Sequence, residues 1–154
     1  MNEFIENARD EMKRADHLIF VSLKYTRTVD VLKSIIERLI NAFDFGISAL
    51  LEHLRKKKKI KEYPNAVLIR CSIIKEKFKD ELLKEYLDFY LLMRKVSKAK
   101  FTKRLEYRRH VTMVADVDGN FVEINTDNLK EHYKKTYDFI LYVNAIVNKK
   151  EKII

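Results

Sequence analysis

Two glycines and one proline in 154 residues leave this chain few of the residues that break helices or allow tight turns. That scarcity predicts long helices with few connections. The single cysteine, Cys71, allows no internal disulfide and fits a reducing cytosol, so a cytoplasmic protein is expected. With Ile69, Ile73 and Ile74 around it, Cys71 reads as a small buried hydrophobe rather than a reactive thiol. No run of eighteen apolar residues occurs, so no membrane span is expected. The N-terminal stretch MNEFIENARDEM is acidic and polar and does not read as a signal peptide. There is no Gly-rich phosphate loop and no pair of cysteine ligands. The four histidines, His17, His53, His110 and His132, fall on different predicted elements, so no metal site and no cofactor are expected. Paired carboxylates such as Glu3 with Glu6, or Asp80 with Glu81, read as solvated helix faces rather than acid–base pairs.

What the chain has in abundance is positive charge. Thirty-two Lys and Arg against twenty-three Asp and Glu give a formal charge of +9. Much of it lies in Arg55 followed by Lys56, Lys57, Lys58 and Lys59, with Lys61, and at Lys149, Lys150 and Lys152. Such a surface attracts nucleic acid or acidic partners without sequence preference; a solvated, lysine-rich loop is the alternative. The wealth of Lys, Glu and Arg is also the composition of thermophile proteins.

Hydrophobic spacing gives four long helices. The first is predicted over residues 2–25, with Phe4, Ala8, Met12, Ala15, Ile19 and Ser22 on one face. The second runs over residues 29–57, with Thr28 as N-cap and Asp30 in the first turn. Its seam is Leu32, Ile36, Leu39, Phe43, Gly46, Leu50 and Leu54. Gly46 inside that seam predicts either a close helix approach or a bend. The third is expected from Pro64 to Lys98, Pro64 suiting a first turn. It carries one stripe of Val67, Cys71, Ile74, Phe78, Leu82, Phe89, Leu92 and Val96, and a second of Leu83, Tyr86, Leu87, Tyr90 and Leu91. Helical structure is expected to resume over residues 104–109. Residues 111–124 alternate around Asp118-Gly119 and predict a β-hairpin. A last helix from Asn125 or Thr126 has Leu129, Tyr133, Thr136, Ile140, Val143 and Val147 as its seam, and fraying is expected after Lys149. The fold expected is one all-α domain over residues 1–154: an antiparallel bundle of four long helices with a small hairpin before the last. The width of the third helix's apolar face predicts a homodimer.

The segment from Thr102 to His110 concentrates candidate chemistry. Arg104, Arg108, Arg109 and His110 fall within it, guanidinium groups that fork onto phosphate beside an imidazole, the kind of side chain most easily used as an acid or base. Cations completing a helix C-terminus are the plainer alternative. Lys56, Lys57, Lys58, Lys59, Arg108 and Arg109 are the candidate RNA-binding residues. Tyr25 and Arg27, at the turn between the first two helices, are further phosphate candidates, and His17 is a weaker one.

A helical bundle with long amphipathic first helices and Arg104-x5-His110 after the third resembles the HEPN superfamily (higher eukaryotes and prokaryotes nucleotide-binding). Its motif is Arg followed four to six residues later by His. The residue after the arginine is often polar in that family and is Leu105 here; a hairpin is not one of its core elements. The resemblance implies an RNA-binding protein and a metal-independent endoribonuclease, many relatives acting as homodimers and others as inactive partners of nucleotidyltransferases. It further implies that His110 transfers a proton and that Arg104 holds the scissile phosphate, while a ribose 2′-hydroxyl attacks to give a 2′,3′-cyclic phosphate. A noncatalytic helical module that dimerises or binds a protein partner is the competing reading.

Overall fold

The computed structural model describes residues 2–148; the C-terminal cations Lys149, Lys150 and Lys152, and the fraying expected there, lie outside them. The described chain is mostly helical (70 %), with five helices and a small antiparallel sheet of three strands.

Helix α1 (Glu3–His17) is capped by Asn2, whose side chain accepts from the Phe4 and Ile5 amides. It passes without a break into a π-helical stretch, Leu18–Ser22, and a last turn, Leu23–Tyr25. Helix α2 (Val29–Lys56) carries the centre of the core: every residue of its predicted seam is buried. Thr28 caps it by accepting from the Val31 amide at 3.4 Å. Helices α1 and α5 (Thr126–Val147) pack along α2. Buried Glu11 on α1 accepts from Arg14 at 2.9 Å and from Arg38 of α2 at 3.2 Å, which compensates its charge and fixes the register of the two helices. Gly46 marks a close approach: a Cβ there would meet Cε2 of Phe139 at 2.6 Å. Phe139 stacks on Phe43 with centroids 4.4 Å apart, and Phe89, Tyr90 and Tyr86 complete the aromatic cluster.

The expected third helix is two helices, α3 (Val67–Phe78) and α4 (Glu81–Lys98). Lys79 ends α3 in the left-handed region at φ 48°, and Asp80 opens α4 by accepting from the Leu82 and Leu83 amides. Asp80 is therefore an N-cap, not part of an idle acidic face. The break also shifts the phase of the hydrophobic pattern. Beyond it Leu83, Tyr86, Leu87 and Tyr90 of the second stripe face the core beside Phe89 and Val96 of the first, while Leu82 and Leu92 of the first face outward. Of the run that motivated a homodimer, Phe89 and Tyr90 are buried within the chain, Leu91 is half-buried and Leu92 is exposed. Pro64 precedes α3 rather than opening it, and its carbonyl accepts from Arg70 Nε at 2.7 Å.

The sheet has one strand more than a hairpin. Strand β1 (Lys100–Arg104) pairs antiparallel with β2 (Thr112–Val117), which pairs with β3 (Asn120–Asn125) around the Asp118-Gly119 turn. Residues 104–109 are consequently not helical: Arg104 ends a strand, opposite Thr112, and the chain then loops back. The extra strand answers the instability of a lone hairpin. Met113, Ala115 and Ile124 are buried where the sheet meets the helices. No described helix is long and apolar enough to cross a membrane.

Candidate functional site

The site grows out of the loop between β1 and β2. Leu105 and Tyr107 both adopt positive φ, 55° and 66°, and the Arg108 amide donates to the Leu105 carbonyl at 3.1 Å, which turns the chain sharply. Two long-range hydrogen bonds then tie this loop to the α1–α2 junction. The Tyr107 amide donates to the Arg27 carbonyl at 2.6 Å, and the Glu106 carboxylate accepts from the Val29 amide at 3.0 Å. Glu106 thus satisfies one of the open N–H groups at the start of α2 and puts a negative charge at the positive end of its dipole. Lys103 Nζ lies 3.9 Å from the same carboxylate.

This anchorage brings Arg109 and His110 against residues far away in sequence. A cleft of about 290 Å³ is lined by Ile19, Phe20, Leu23, Lys24, Arg27, Arg109, His110, Thr112, Asn125, Thr126, Asp127 and Lys130. Three segments build it. The π-helical stretch and following turn of the first helix supply Phe20 and Lys24. In that stretch the Leu23 amide reaches back five residues to the Leu18 carbonyl, an insertion of the kind frequent at functional sites. The loop supplies Arg109 and His110. The first turn of α5 supplies Asp127 and Lys130, below a reciprocal cap in which Asn125 and Asn128 each accept the other's amide at 2.9 Å. The Lys130 ammonium lies 5.8 Å from the centroid of Phe20. Lys24, Arg27 and Arg109 form no ion pair among the described residues, and Asp127 is the one carboxylate in the lining. The result is a concave, cationic surface with an imidazole at its edge, suited to an anionic ligand.

The other residues singled out by sequence fall elsewhere. Arg104 sits at the end of β1, ion-paired with Glu123 of β3, and does not line the cleft. Arg108 is exposed on the same loop as Arg109 and is not a lining residue. Lys56, Lys57, Lys58 and Lys59 are exposed at the far end of α2. A helix of 28 residues is roughly 40 Å long, so these lysines and the cleft form two separate basic regions. His17 ends α1 in an exposed position, Arg27 lines the cleft, and Tyr25 is exposed beside the lining residue Lys24. His53 and His132 are partly buried, and burial lowers the pKa of both, His132 packing on Phe89 at 5.1 Å. Burial pushes the Cys71 thiol up to about 11, as an inert core position requires. Among the described residues no three His, Cys, Asp or Glu side chains converge as metal ligands would. Sequence reading missed Phe20, Lys130 and Asn125, whose roles arise from the packing of α5 beside the first helix. No family model, curated protein or solved structure matches the chain.

Proposed function

We propose that this chain is a HEPN-like helical RNA-binding protein that holds a backbone phosphate in the cleft around His110. The observation that carries the reading is the convergence of Lys24, Arg27, Arg109 and Lys130 on one concavity beside an exposed imidazole. Four cations against the single carboxylate of Asp127 leave the cleft with an excess of positive charge that attracts an anion, and guanidinium groups fork onto phosphate oxygens. In the catalytic form of the proposal His110 takes the proton of a ribose 2′-hydroxyl. That oxygen attacks the adjacent phosphorus, the bond to the 5′-oxygen breaks, and the 5′-oxygen takes up a proton from water. The products are a 2′,3′-cyclic phosphate and a 5′-hydroxyl, and the new negative charge falls beside Arg27 and Arg109. Arg104, the other motif residue, lies outside the cleft and is paired with Glu123, so in this reading Arg27 and Arg109 take its place at the phosphate.

Retention of labelled mixed-sequence RNA on filters at low salt, weakening steeply as salt is raised, is the expected result. Cleavage is read on the same RNA in EDTA. General acid–base catalysis contributes typically a hundredfold to ten-thousandfold, so His110→Ala is expected to lose about that much rate and little affinity. Equal rates for wild type and His110→Ala remove the mechanism. Binding without any cleavage leaves a binding module, and no retention at low salt removes the RNA reading.

A further inference from the structure

Two tyrosines flank the cleft with side chains that no interaction among the described residues accounts for. Tyr25 lies between the cleft residues Lys24 and Arg27 and is 84 % exposed; Tyr107 is 78 % exposed. The Tyr107 amide bonds the Arg27 carbonyl at 2.6 Å, so this ring too starts beside a lining residue. A large aromatic side chain gains by being buried, and a bulky residue rarely adopts the φ of +66° found at Tyr107. The loop holds the ring outward against both preferences. Phe20, partly exposed, adds an aromatic face to the cleft wall itself.

Aromatic faces interleaved with unpaired cations are what a single nucleic-acid strand requires: the cations follow the phosphates and the rings stack on bases. A duplex hides its base faces in its own stack and is read through groove shape and hydroxyl groups instead. We propose that Tyr25 and Tyr107 stack on bases of the RNA strand held in the cleft. This rests on the RNA-binding reading above and adds the side chains that hold the bases.

The test is fluorescence anisotropy with a labelled twelve-nucleotide RNA of mixed sequence, alone and annealed to its complement. The single strand is expected to bind at least about tenfold more tightly, and Tyr25→Ala and Tyr107→Ala each to weaken it by about tenfold or more, since base–aromatic stacking is worth that much. Tyr25→Phe and Tyr107→Phe are expected to bind as wild type, because the ring and not the hydroxyl stacks. The tyrosine variants should leave the salt dependence unchanged, whereas Arg27→Ala lowers its slope by about 0.7. The chain has no tryptophan, so Tyr25→Trp introduces a sole indole whose emission should be quenched by the single strand and not by the duplex. Equal binding of duplex and strand, or alanine variants that bind like wild type while Arg27→Ala is weakened, overturns the stacking proposal and leaves RNA binding in place. Wild-type protein that binds neither RNA overturns both.

Discussion

Single side chains carry two decisions in this molecule, one about packing and one about charge. Gly46 is where α2 and α5 touch. Alanine there gains about 1 kcal/mol of helix propensity but drives its methyl into the Phe139 ring, which is stacked on Phe43 and has nowhere to move. Overpacking of a filled core costs about 1–3 kcal/mol, so Gly46→Ala is expected to be destabilising by about 1 kcal/mol in urea unfolding. The sequence announced that Gly46 was special, because glycine stood inside an otherwise regular seam; it could not say whether approach or bend was the cause. The second decision concerns the arginines of the β1–β2 region. Arg104 already has Glu123 as a counter-charge, while Arg109 faces the cleft without one. Arg109→Ala is therefore expected to weaken RNA retention more than Arg104→Ala at the same salt concentration. The reverse order would put the phosphate on the sheet. The spacing of Arg104 and His110 in sequence could not reveal this, because a strand and a turn lie between them where a helix was expected.

Elements were legible where the hydrophobic period was unbroken and illegible where one residue interrupted it. The seams of α2 and α5 were readable throughout, since a 3.6-residue period sustained over many turns has few alternatives. The α3–α4 break was not. It rests on Lys79 and Asp80, neither a glycine nor a proline, and two overlapping apolar stripes hide the change of phase across it. Asp80 has a further duty: it accepts the Tyr142 hydroxyl of α5 as well as two amides of α4. The Tyr142 hydrogen bond, aided by those from Leu83 and Leu82, lowers the Asp80 pKa below its ordinary 3.8. A carboxylate depressed on folding stabilises the protein above its unfolded pKa and loses that contribution as pH falls through the folded value. Wild type is thus expected to lose more stability than Asp80→Asn when urea midpoints are compared between pH 6 and about pH 3. Parallel pH profiles for the two proteins would remove Asp80 from the account.

At the scale of the whole molecule, α2 acts as a spacer between two basic regions. The sequence displayed the lysines and the arginine-histidine string as one undivided excess of charge, because distance in space is not written in composition. With roughly 40 Å between them, a short ligand reaches only one. Lys58→Ala with Lys59→Ala is expected to leave binding of a tetranucleotide unchanged. For an RNA long enough to span both regions, losing those two cations should lower the salt slope by about 1.4. A loss of tetranucleotide binding would mean that the lysine loop, not the cleft, is the primary site.

The scarcity of glycine has one more consequence. Among the described residues five that are not glycine, Lys58, Lys79, Leu105, Tyr107 and Asp118, occupy the left-handed backbone region that glycine alone enters freely. Each L-residue there carries a cost of about 1–2 kcal/mol, partly offset because glycine would loosen the unfolded chain by about 0.4–1 kcal/mol. Lys79→Gly, remote from the cleft and at a helix end that glycine normally occupies, is expected to raise the unfolding free energy by about 0.5–1 kcal/mol. At Lys79 the fold accordingly holds an unspent reserve of stability, open to engineering without touching a single residue of the cleft.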